Sequence, residues 1–444
     1  MIIFKNRLPV FLYCCFSFIF LIIIGMYNNS DVSVYIKYLE YKNLFDFILL
    51  ISLIYYLDGK LFFGKSYNIF IIIFTIFHLG IPISNIFTFS DNYFNEYIGT
   101  WYYTSYTINS LTAINSFLLF YFSSGILNIN KKSINTYKNN IFYKINYISL
   151  FFLVFLWIAT VYFIFGLTDY SDIYSENKNN FLTVVLIFFP QFISFSFLIL
   201  ISKKEYFYKS WMVFLVWALF AFSLGIRGPV LFPLSLSLAV LVSVYKYKIT
   251  MTKFFLILIV LCFSITYKFF SRSDISFEIW DINPLMAFQE MGSSLRPVNE
   301  VNYWLDTGIY KYQYGLTYIA PIERAFIGVF PLYEIPIGIE DTRLMNVAIT
   351  KNAGPYGFSI LAESYINFGF IGVSLLAILI SFILRKIDLV MSKITEYPFY
   401  ILLLLAIFFH IRQAFVGTWG VLIYLSMYII AMMFIAMIFR KVQE

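Results

Sequence analysis

The sequence predicts an all-α, polytopic integral membrane protein, and two features of its composition indicate this. Hydrophobic residues make up 61% of the 444 residues and charged residues only 12%, whereas soluble domains have roughly 45–50% apolar and about 25% charged residues. So few polar residues cannot cover a surface that faces water, which excludes a soluble enzyme. A disordered chain is excluded as well, because such chains are poor in apolar residues and rich in charge.

The apolar runs predict about twelve transmembrane helices, since a helix needs about 20 apolar residues to cross the hydrocarbon core of a bilayer. The second run is short, and only Ile226, Arg227 and Gly228 separate the seventh from the eighth. The predicted spans are 8–27, 43–57, 67–88, 104–127, 145–165, 181–201, 210–225, 229–245, 254–270, 357–384, 398–413 and 417–439.

The positions of the basic residues predict the topology. Lys5 and Arg7 precede a long apolar run that has no small-residue cleavage site, so we expect an uncleaved first helix with a cytoplasmic N-terminus. Most lysines then fall in short cytoplasmic loops, as the positive-inside rule requires. The C-terminus, with Arg440 and Lys441, is also predicted to be cytoplasmic. The three cysteines lie within apolar runs and indicate neither disulfides nor a metal site.

One outer segment is much longer than the others. Residues 271–356 form a large loop between the ninth and tenth predicted helices, and structureless loops longer than about 12–15 residues are usually functional or disordered. Its tryptophans, tyrosines and helical runs argue against disorder. We therefore expect three regions: helices one to nine in residues 1–270, a folded cap in 271–356, and helices ten to twelve in 357–444.

Arginine is concentrated on the predicted outer side, whereas lysine is mostly on the inner side. Arginine binds phosphate through two parallel hydrogen bonds, while lysine acts as a point charge. The outer arginines therefore predict a site for a phosphate or pyrophosphate group; the alternative is that each pairs with one of the acidic residues of the loop. These arginines are Arg227, Arg272, Arg296, Arg324, Arg343 and Arg412.

Arg227 is the strongest candidate among them. It lies between Gly225 and Gly228 in a turn that joins two apolar helices, and Pro229 suits the first turn of the second helix. An ionisable residue at membrane depth is by default a functional hypothesis. The alternative is that the side chain extends to the outer lipid headgroups.

The two histidines lead to different expectations. His410 lies near the outer end of the eleventh span, two positions before Arg412. The two side chains do not share a helix face, but both could reach a cavity where the helix ends, and histidine can shuttle a proton. His78 lies beside a Gly80–Pro82 kink, and we expect it to make a structural hydrogen bond to a neighbouring carbonyl.

Glu363 belongs to a polar stripe on the tenth span. Ser359, Glu363, Ile366 and Asn367 share one face at helical spacing. Polar residues on an apolar span face the protein interior or a cavity. The carboxylate could therefore act as a general base or could hold an arginine, and the sequence leaves both roles open.

Several motifs in residues 220–415 resemble bacterial oligosaccharide repeat-unit polymerases, the Wzy-type O-antigen polymerases. Residues 352–359 read Asn-Ala-Gly-Pro-Tyr-Gly-Phe-Ser, and residues 362–372 continue Ala-Glu-Ser-Tyr-Ile-Asn-Phe-Gly-Phe-Ile-Gly, like the C-terminal signature of that family. Tyr-Gly-Leu-Thr-Tyr at 314–318, Val-Phe-Pro at 329–331 and Gln-Glu-Met-Gly-Ser-Ser at 289–294 also fit, as does the Arg227–Gly228 pair.

The resemblance implies a fold of GT-C-like architecture and a location in the bacterial inner membrane. It also implies a glycosyltransferase that joins undecaprenyl-pyrophosphate-linked repeat units on the periplasmic face. A chain-length co-polymerase and other assembly proteins would be its partners, with no nucleic acid and no cofactor. No Asp-rich pair in the loop would clearly hold a cation, which favours a metal-independent mechanism. The candidate phosphate contacts are then Arg227, Arg296, Arg324, Arg343 and Arg412, the candidate bases Glu363 and His410, and the next candidates Glu290 and Glu300.

Three other classes of protein would also fit part of the pattern. An O-antigen ligase uses the same donor, but its large loop carries a critical histidine and residues 271–356 contain none. A flippase or other transporter of lipid-linked oligosaccharide fits twelve spans, yet it does not need a folded cap, and the two halves of this chain show no evident similarity. A non-catalytic assembly component would leave the outer arginines and Glu363 unexplained.

Overall fold

The computed structural model describes residues 2–26, 31–87, 101–126, 140–166, 180–250, 252–253, 284–330, 333–338, 340–354 and 357–443. Within those residues the regular structure is entirely helical, and six helices are long and apolar enough to cross a membrane. The protein is therefore an all-α membrane protein. The predicted ninth span, 254–270, lies outside the described residues, so the total of twelve spans and the GT-C-like architecture stay predictions.

Eight helices precede residue 250 in the described part of the chain. A 3₁₀ turn, Gly59–Gly64, follows α2, and another, Ser124–Ile126, follows α4; α5 continues as a π-helix over Ala159–Ile164. The helices are α1 Ile2–Met26, α2 Val32–Asp58, α3 Ser66–Phe87, α4 Ser105–Ser123, α5 Asn140–Ile158, α6 Asn180–Ile201, α7 Phe207–Ser223 and α8 Gly228–Tyr245.

The described residues between 284 and 354 form four shorter helices, and we call them the short-helix segment. Three more helices follow it, and the first of these is kinked at Phe368 and Gly369, where Gly369 has a φ of 57°. The helices of the segment are α9 Pro284–Met291, α10 Leu295–Asp306, α11 Leu316–Val329 and α12 Met345–Asn352; the later ones are α13 Ile360–Asp388, α14 Pro398–His410 and α15 Phe415–Gln443.

Helix α2 begins at Val32, well before the start that the sequence predicts at residue 43. The predicted start follows a polar break that contains Lys42. In the structure Lys42 and Asp46, one turn apart on α2, form a buried ion pair with 2.6 Å between Nζ and Oδ2. Because each charge has a partner inside the bundle, the helix passes through the polar stretch.

Charged side chains tie several helices together at one end of the bundle. Asp58, at the end of α2, pairs with Arg7 of α1 at 3.2 Å and with Lys65 at 2.5 Å. Asp388, at the end of α13, accepts hydrogen bonds from the backbone N–H and the hydroxyl of Ser66 at the start of α3. The short helix α9 packs at the other end of α3, and Arg227 and Arg412, two of the predicted site residues, contact α9 and the turn that follows it.

Candidate functional site

Helix α9 crosses α3 so closely that a glycine is required on each side. A Cβ atom added to Gly80 would lie 2.0 Å from the carbonyl oxygen of Phe288, and one added to Gly292 would lie 2.3 Å from the backbone nitrogen of Ile81. No side chain fits at such distances. This crossing therefore fixes the position of the residues that flank Gly292, among them Glu290 and Ser293.

Arg227 forms an ion pair with Glu290 of α9. Arg227 is the residue just before α8, in a turn where Gly225 adopts a φ of 81°. Its Nη1 contacts Oε1 of Glu290, and the arginine is only 7% exposed. In the part of the chain that the structure describes, Nε and Nη2 of Arg227 and Oε2 of Glu290 have no hydrogen-bond partner.

Such unused polar atoms are informative because buried polar groups are almost always hydrogen-bonded. A buried donor or acceptor without a partner costs about 1–3 kcal/mol, and more when it is charged. The Arg227–Glu290 pair thus offers two donors and one acceptor that a polar ligand could satisfy. Gln289 beside it is buried, and its Nε2 is likewise without a partner among the described residues.

Arg412 contacts the 3₁₀ turn Gly292–Ser294, which follows α9 directly. It lies in the turn between α14 and α15, its Nη2 donates to the hydroxyl of Ser293 at 3.2 Å, and its guanidinium lies over the ring of Phe77, 5.6 Å from the centroid. Glu290 and Ser293 are three residues apart. The structure therefore brings Arg227 and Arg412, two of the five predicted phosphate contacts, onto residues three apart, one in α9 and the other in the 3₁₀ turn Gly292–Ser294 that follows it.

Glu363 and His410 hold the turn that carries Arg412. The backbone N–H of Phe415, at the start of α15, donates to Oε2 of Glu363 at 2.5 Å, and Nδ1 of His410 lies 3.0 Å from the carbonyl oxygen of Gln413. Glu363 is 1% exposed. Ser359, Ile366 and Asn367 are buried with it, as the predicted polar stripe requires.

His78 lies within α3, away from that turn. Its Nδ1 is 3.0 Å from the carbonyl oxygen of Phe74, and its ring stacks on the Phe74 ring with 4.2 Å between centroids. The predicted structural hydrogen bond is confirmed.

Arg324 and Arg343 bind acidic residues of the short-helix segment. Arg343 holds Asp341 through Nε and Nη2, each at 3.0 Å, and its Nη1 lies 2.8 Å from Glu323. Arg324 contacts the same Asp341 at 3.0 Å and donates to the carbonyl oxygen of Pro336. These contacts, like the Arg227–Glu290 and Arg296–Glu300 pairs, are the alternative that the sequence left open, in which the predicted outer arginines pair with acidic residues of the loop.

The charges around Asp341 also set its ionisation. Burial alone would raise the pKa of Asp341, but the hydrogen bonds and positive charge of Arg343, together with the bond from Arg324, outweigh it and hold the pKa below its ordinary value. The hydrogen bond to Asp341 raises the pKa of Arg343 in turn. The side chains of Asp341, Arg324 and Arg343 are therefore charged and bound to one another.

Arg296 lies on α10 with its own acid. Its Nε is 3.6 Å from Oε1 of Glu300, and its guanidinium lies 5.7 Å from the ring centroid of Trp101. Burial raises the pKa of Glu300, although the charge of Arg296 opposes the shift. Arg272 lies outside the described residues.

The sequence interpretation did not foresee the buried charge of Lys42 or the positions of Gln289 and Ser293 beside the predicted arginines. It placed Lys42 outside the second span, although its i, i+4 spacing to Asp46 is typical of a pair on one helix face. It also gave no role to Gln289 or Ser293, whose positions beside Arg227 and Arg412 depend on the α3–α9 crossing. Among the described residues, no group of three or more His, Cys, Asp or Glu side chains could hold a metal ion, and metal independence stays a prediction.

Similarity to known proteins covers almost the whole chain. The sequence model of the family described as O-antigen polysaccharide polymerase Wzy matches residues 10–442. The chain belongs to the Wzy family. This confirms the resemblance of the motifs in residues 220–415 and extends it to the first half of the chain. Membership indicates a multi-pass membrane protein that polymerises a surface polysaccharide.

One curated relative of this Wzy-family chain is Protein CapE of Staphylococcus aureus. The two sequences are 27% identical over 321 residues, which cover 69% of this chain and 70% of the relative. No solved structure matches the chain.

Proposed function

We propose that this protein joins oligosaccharide repeat units carried on undecaprenyl pyrophosphate into a surface polysaccharide. The observation that carries the proposal is the partly buried Arg227–Glu290 pair, whose spare donors and acceptor lie beside Ser293 and Arg412. A leaving pyrophosphate needs positive charge, and an attacking hydroxyl needs a base. This site holds both kinds of group, because Arg227 and Arg412 contact residues 290 and 293 of one short stretch of chain.

In the proposed reaction, the hydroxyl oxygen of one repeat unit attacks the anomeric carbon of the chain held on the lipid. The bond from that carbon to the pyrophosphate oxygen breaks, and the electron pair leaves with the polyprenyl pyrophosphate. Arg227 and Arg412 stabilise the charge that develops there, as preorganised donors do in other transferases. The hydroxyl proton passes to a carboxylate that acts as general base.

Glu290 is the candidate base that is paired with a predicted phosphate contact, since its Oε1 contacts Arg227 and its Oε2 has no partner in the described structure. Glu363 likewise keeps one oxygen, Oε1, without a partner among the described residues. However, Glu363 and His410, the first candidates from the sequence, both bond to the backbone of the α14–α15 turn. We therefore assign them a positioning role for Arg412, while Arg324 and Arg343 stabilise the short-helix segment through Asp341.

The proposed orientation follows the distribution of charge. Lys65, Arg7 and Arg385 lie at the end of the bundle where α1 and α3 begin, and basic residues favour the cytoplasmic side. The opposite end, with α9 and the short-helix segment, then faces outward, where lipid-linked repeat units would be polymerised. In this orientation both termini are cytoplasmic, and a separate co-polymerase would control chain length.

The test is Arg227→Ala in a strain that lacks the native gene. Surface polysaccharide separated on a gel should lose its ladder and show only single repeat units, because the variant no longer stabilises the leaving pyrophosphate. Arg440→Ala, at an exposed position near the end of α15, is the matched control and should keep the ladder. Immunoblotting of membranes checks that both variants are inserted.

Two outcomes would contradict the assignment. A normal ladder from Arg227→Ala would remove Arg227 from the site. Loss of the single repeat as well as the ladder would show that the variant blocks transfer or export of repeat units, which a polymerase defect does not.

A further inference from the structure

Helix α11 of the short-helix segment exposes a stripe of large apolar side chains. Leu316, Ile319, Ile322 and Phe326 are 45%, 56%, 42% and 53% exposed, and Phe330 just after the helix is 54% exposed. Spacings of three and four residues place these side chains on one face of the helix. The stripe runs the whole length of α11.

The buried residues of α11 contact the rest of the chain. Two of them, Thr317 and Ala320, are small, while Ile327 is buried as well and Tyr318 packs on Phe415 with 5.2 Å between ring centroids. Thr317 accepts a hydrogen bond from Asn367 of α13 at 2.7 Å, and Arg324 pairs with Asp341. A helix on a water-soluble domain buries most of its large apolar side chains, whereas α11 leaves four of them exposed.

The apolar stripe is continuous with an exposed apolar face of a candidate membrane span. On α13, a candidate span, Phe368, Ile371, Leu375 and Leu379 are exposed at helical spacing. Where that series begins, the N–H of Gly315 donates to Oδ1 of Asn367 at 2.7 Å. The α11 stripe therefore starts where the lipid-facing surface of α13 ends.

Exposed tyrosines flank α11 on both sides. Tyr312 and Tyr314 precede the helix and are 43% and 74% exposed, and Tyr333 after it is 55% exposed. The rings of Tyr314 and Phe368 lie 6.5 Å apart. Tyrosine is enriched where membrane meets water, because its ring is apolar and its hydroxyl is polar.

We propose that α11 lies in the plane of the membrane, with its apolar face inserted among the lipids of the leaflet nearest the short-helix segment. Bilayer lipid is the occupant that fits a stripe of aliphatic and phenylalanine side chains continuous with a transmembrane surface. Helices of this kind insert their apolar face about 5–10 Å into the headgroup boundary. Through Asn367, insertion would hold α13 just before its kink at Phe368 and Gly369. The proposal does not depend on the polymerase assignment.

The test is spin-label accessibility on the full chain. In a variant whose three native cysteines are replaced by serine, Ile319→Cys and Phe326→Cys each receive a nitroxide label. Leu375→Cys on α13 is the lipid-facing control, and Glu340→Cys, exposed in the short-helix segment, is the water-facing control. Each protein is reconstituted in vesicles of phosphatidylcholine and phosphatidylglycerol. Power saturation then measures collisions with oxygen, which concentrates in lipid, and with a neutral nickel chelate, which stays in water.

Labels at Ile319 and Phe326 should match Leu375, with oxygen collisions exceeding those with the chelate. Two results would overturn the proposal. Collisions dominated by the chelate, as at Glu340, would place the stripe in water. Low collision rates with both reagents would show that protein, such as a second copy of the chain, covers the stripe. Because the vesicles contain no polyprenyl lipid, agreement with Leu375 identifies the bilayer itself as the occupant.

Discussion

Two ion pairs of this protein differ in how many of their donor and acceptor atoms have hydrogen-bond partners. The Lys42–Asp46 pair, within α2, is closed. Lys42 Nζ donates to Asp46 at 2.6 Å, to Ser17 at 2.7 Å and to Asn115 at 3.2 Å. Asp46 also accepts from Tyr13, Ser17 and Asn115. All three ammonium hydrogens of Lys42 have an acceptor within the bundle.

The Arg227–Glu290 pair is open by comparison. The two charges meet through one nitrogen and one oxygen, while Nε and Nη2 of the arginine and Oε2 of the glutamate lack partners in the described residues. The first pair joins α1, α2 and α4 and leaves nothing for a ligand. The second joins the turn before α8 to α9, close in sequence to the contact that the α14–α15 turn makes with Ser293. It keeps donor and acceptor atoms that a ligand could bind. Burial of charge alone therefore does not mark a site, and the feature that a ligand could use in the second pair is its unused hydrogen-bonding capacity.

Lys42→Met should destabilise the protein most. It leaves Asp46 buried without its cation, and breaking a buried pair by removing one partner costs about 3–5 kcal/mol. Thermal unfolding of the detergent-purified protein measures the loss. The double variant Lys42→Met with Asp46→Leu removes both charges and should recover most of the stability. A single variant as stable as the native chain would mean that the pair is not structural.

Glu290→Gln should lower activity more than it lowers stability. The amide can still accept from Arg227 but cannot take a proton, and general-base catalysis contributes at least about a hundredfold. Chain extension should fall by that order in a membrane assay with lipid-linked repeat units, while the melting temperature falls less than in Lys42→Met because Arg227 keeps an acceptor. Glu300→Gln, on α10 beside Arg296, is the matched control. If Glu300→Gln is the inactive variant, the base lies on α10 instead.

The sequence predicted the helical fold well because apolar runs depend on local composition. The predicted spans that fall in described residues each coincide with a helix, but the start of α2 was wrong because composition shows a charge without showing its partner. The same limit applies to the site. Arg227 could be singled out from its glycine-rich turn, whereas Glu290 reaches it only through the crossing of Gly80 and Gly292. Whether Arg324 and Arg343 pair with acidic residues was open from the sequence, and the structure places Asp341 between them.

Two substitutions of Glu363 separate a base from a positioning residue. Glu363→Gln keeps an oxygen that can accept from the N–H of Phe415, so chain extension should stay close to native. Glu363→Ala removes the acceptor and loosens the turn that carries Arg412. A loss of about 1.4 kcal/mol in transition-state stabilisation corresponds to a tenfold slower rate, which is the order we expect for the alanine variant in the same assay. Equal inactivity of both variants would restore Glu363 as the general base.

Asp341→Asn should have the smallest effect, confined to the short-helix segment. The pKa of Asp341 is held below its ordinary value, so its ion pairs stabilise the fold fully above the unfolded pKa of about 3.9. That contribution is lost as the pH falls through the lower folded pKa. Because Arg324 and Arg343 are partly exposed, we expect about 1 kcal/mol at neutral pH. Hydrogen exchange in residues 340–352, compared between native and variant protein at each pH, should differ at pH 7 and converge below about pH 4.

The same variant tests whether the ion pairs of Asp341 are only structural. Arg343 binds Asp341 and Glu323, neither of which belongs to α9. Asp341→Asn should therefore leave the polysaccharide ladder intact, as should Arg343→Gln. A ladder lost in Arg343→Gln but kept in Asp341→Asn would show that Arg343 leaves its acids to bind phosphate. In that case an arginine whose donors are already paired could still bind phosphate, and unpartnered polar atoms would not be enough to locate the site.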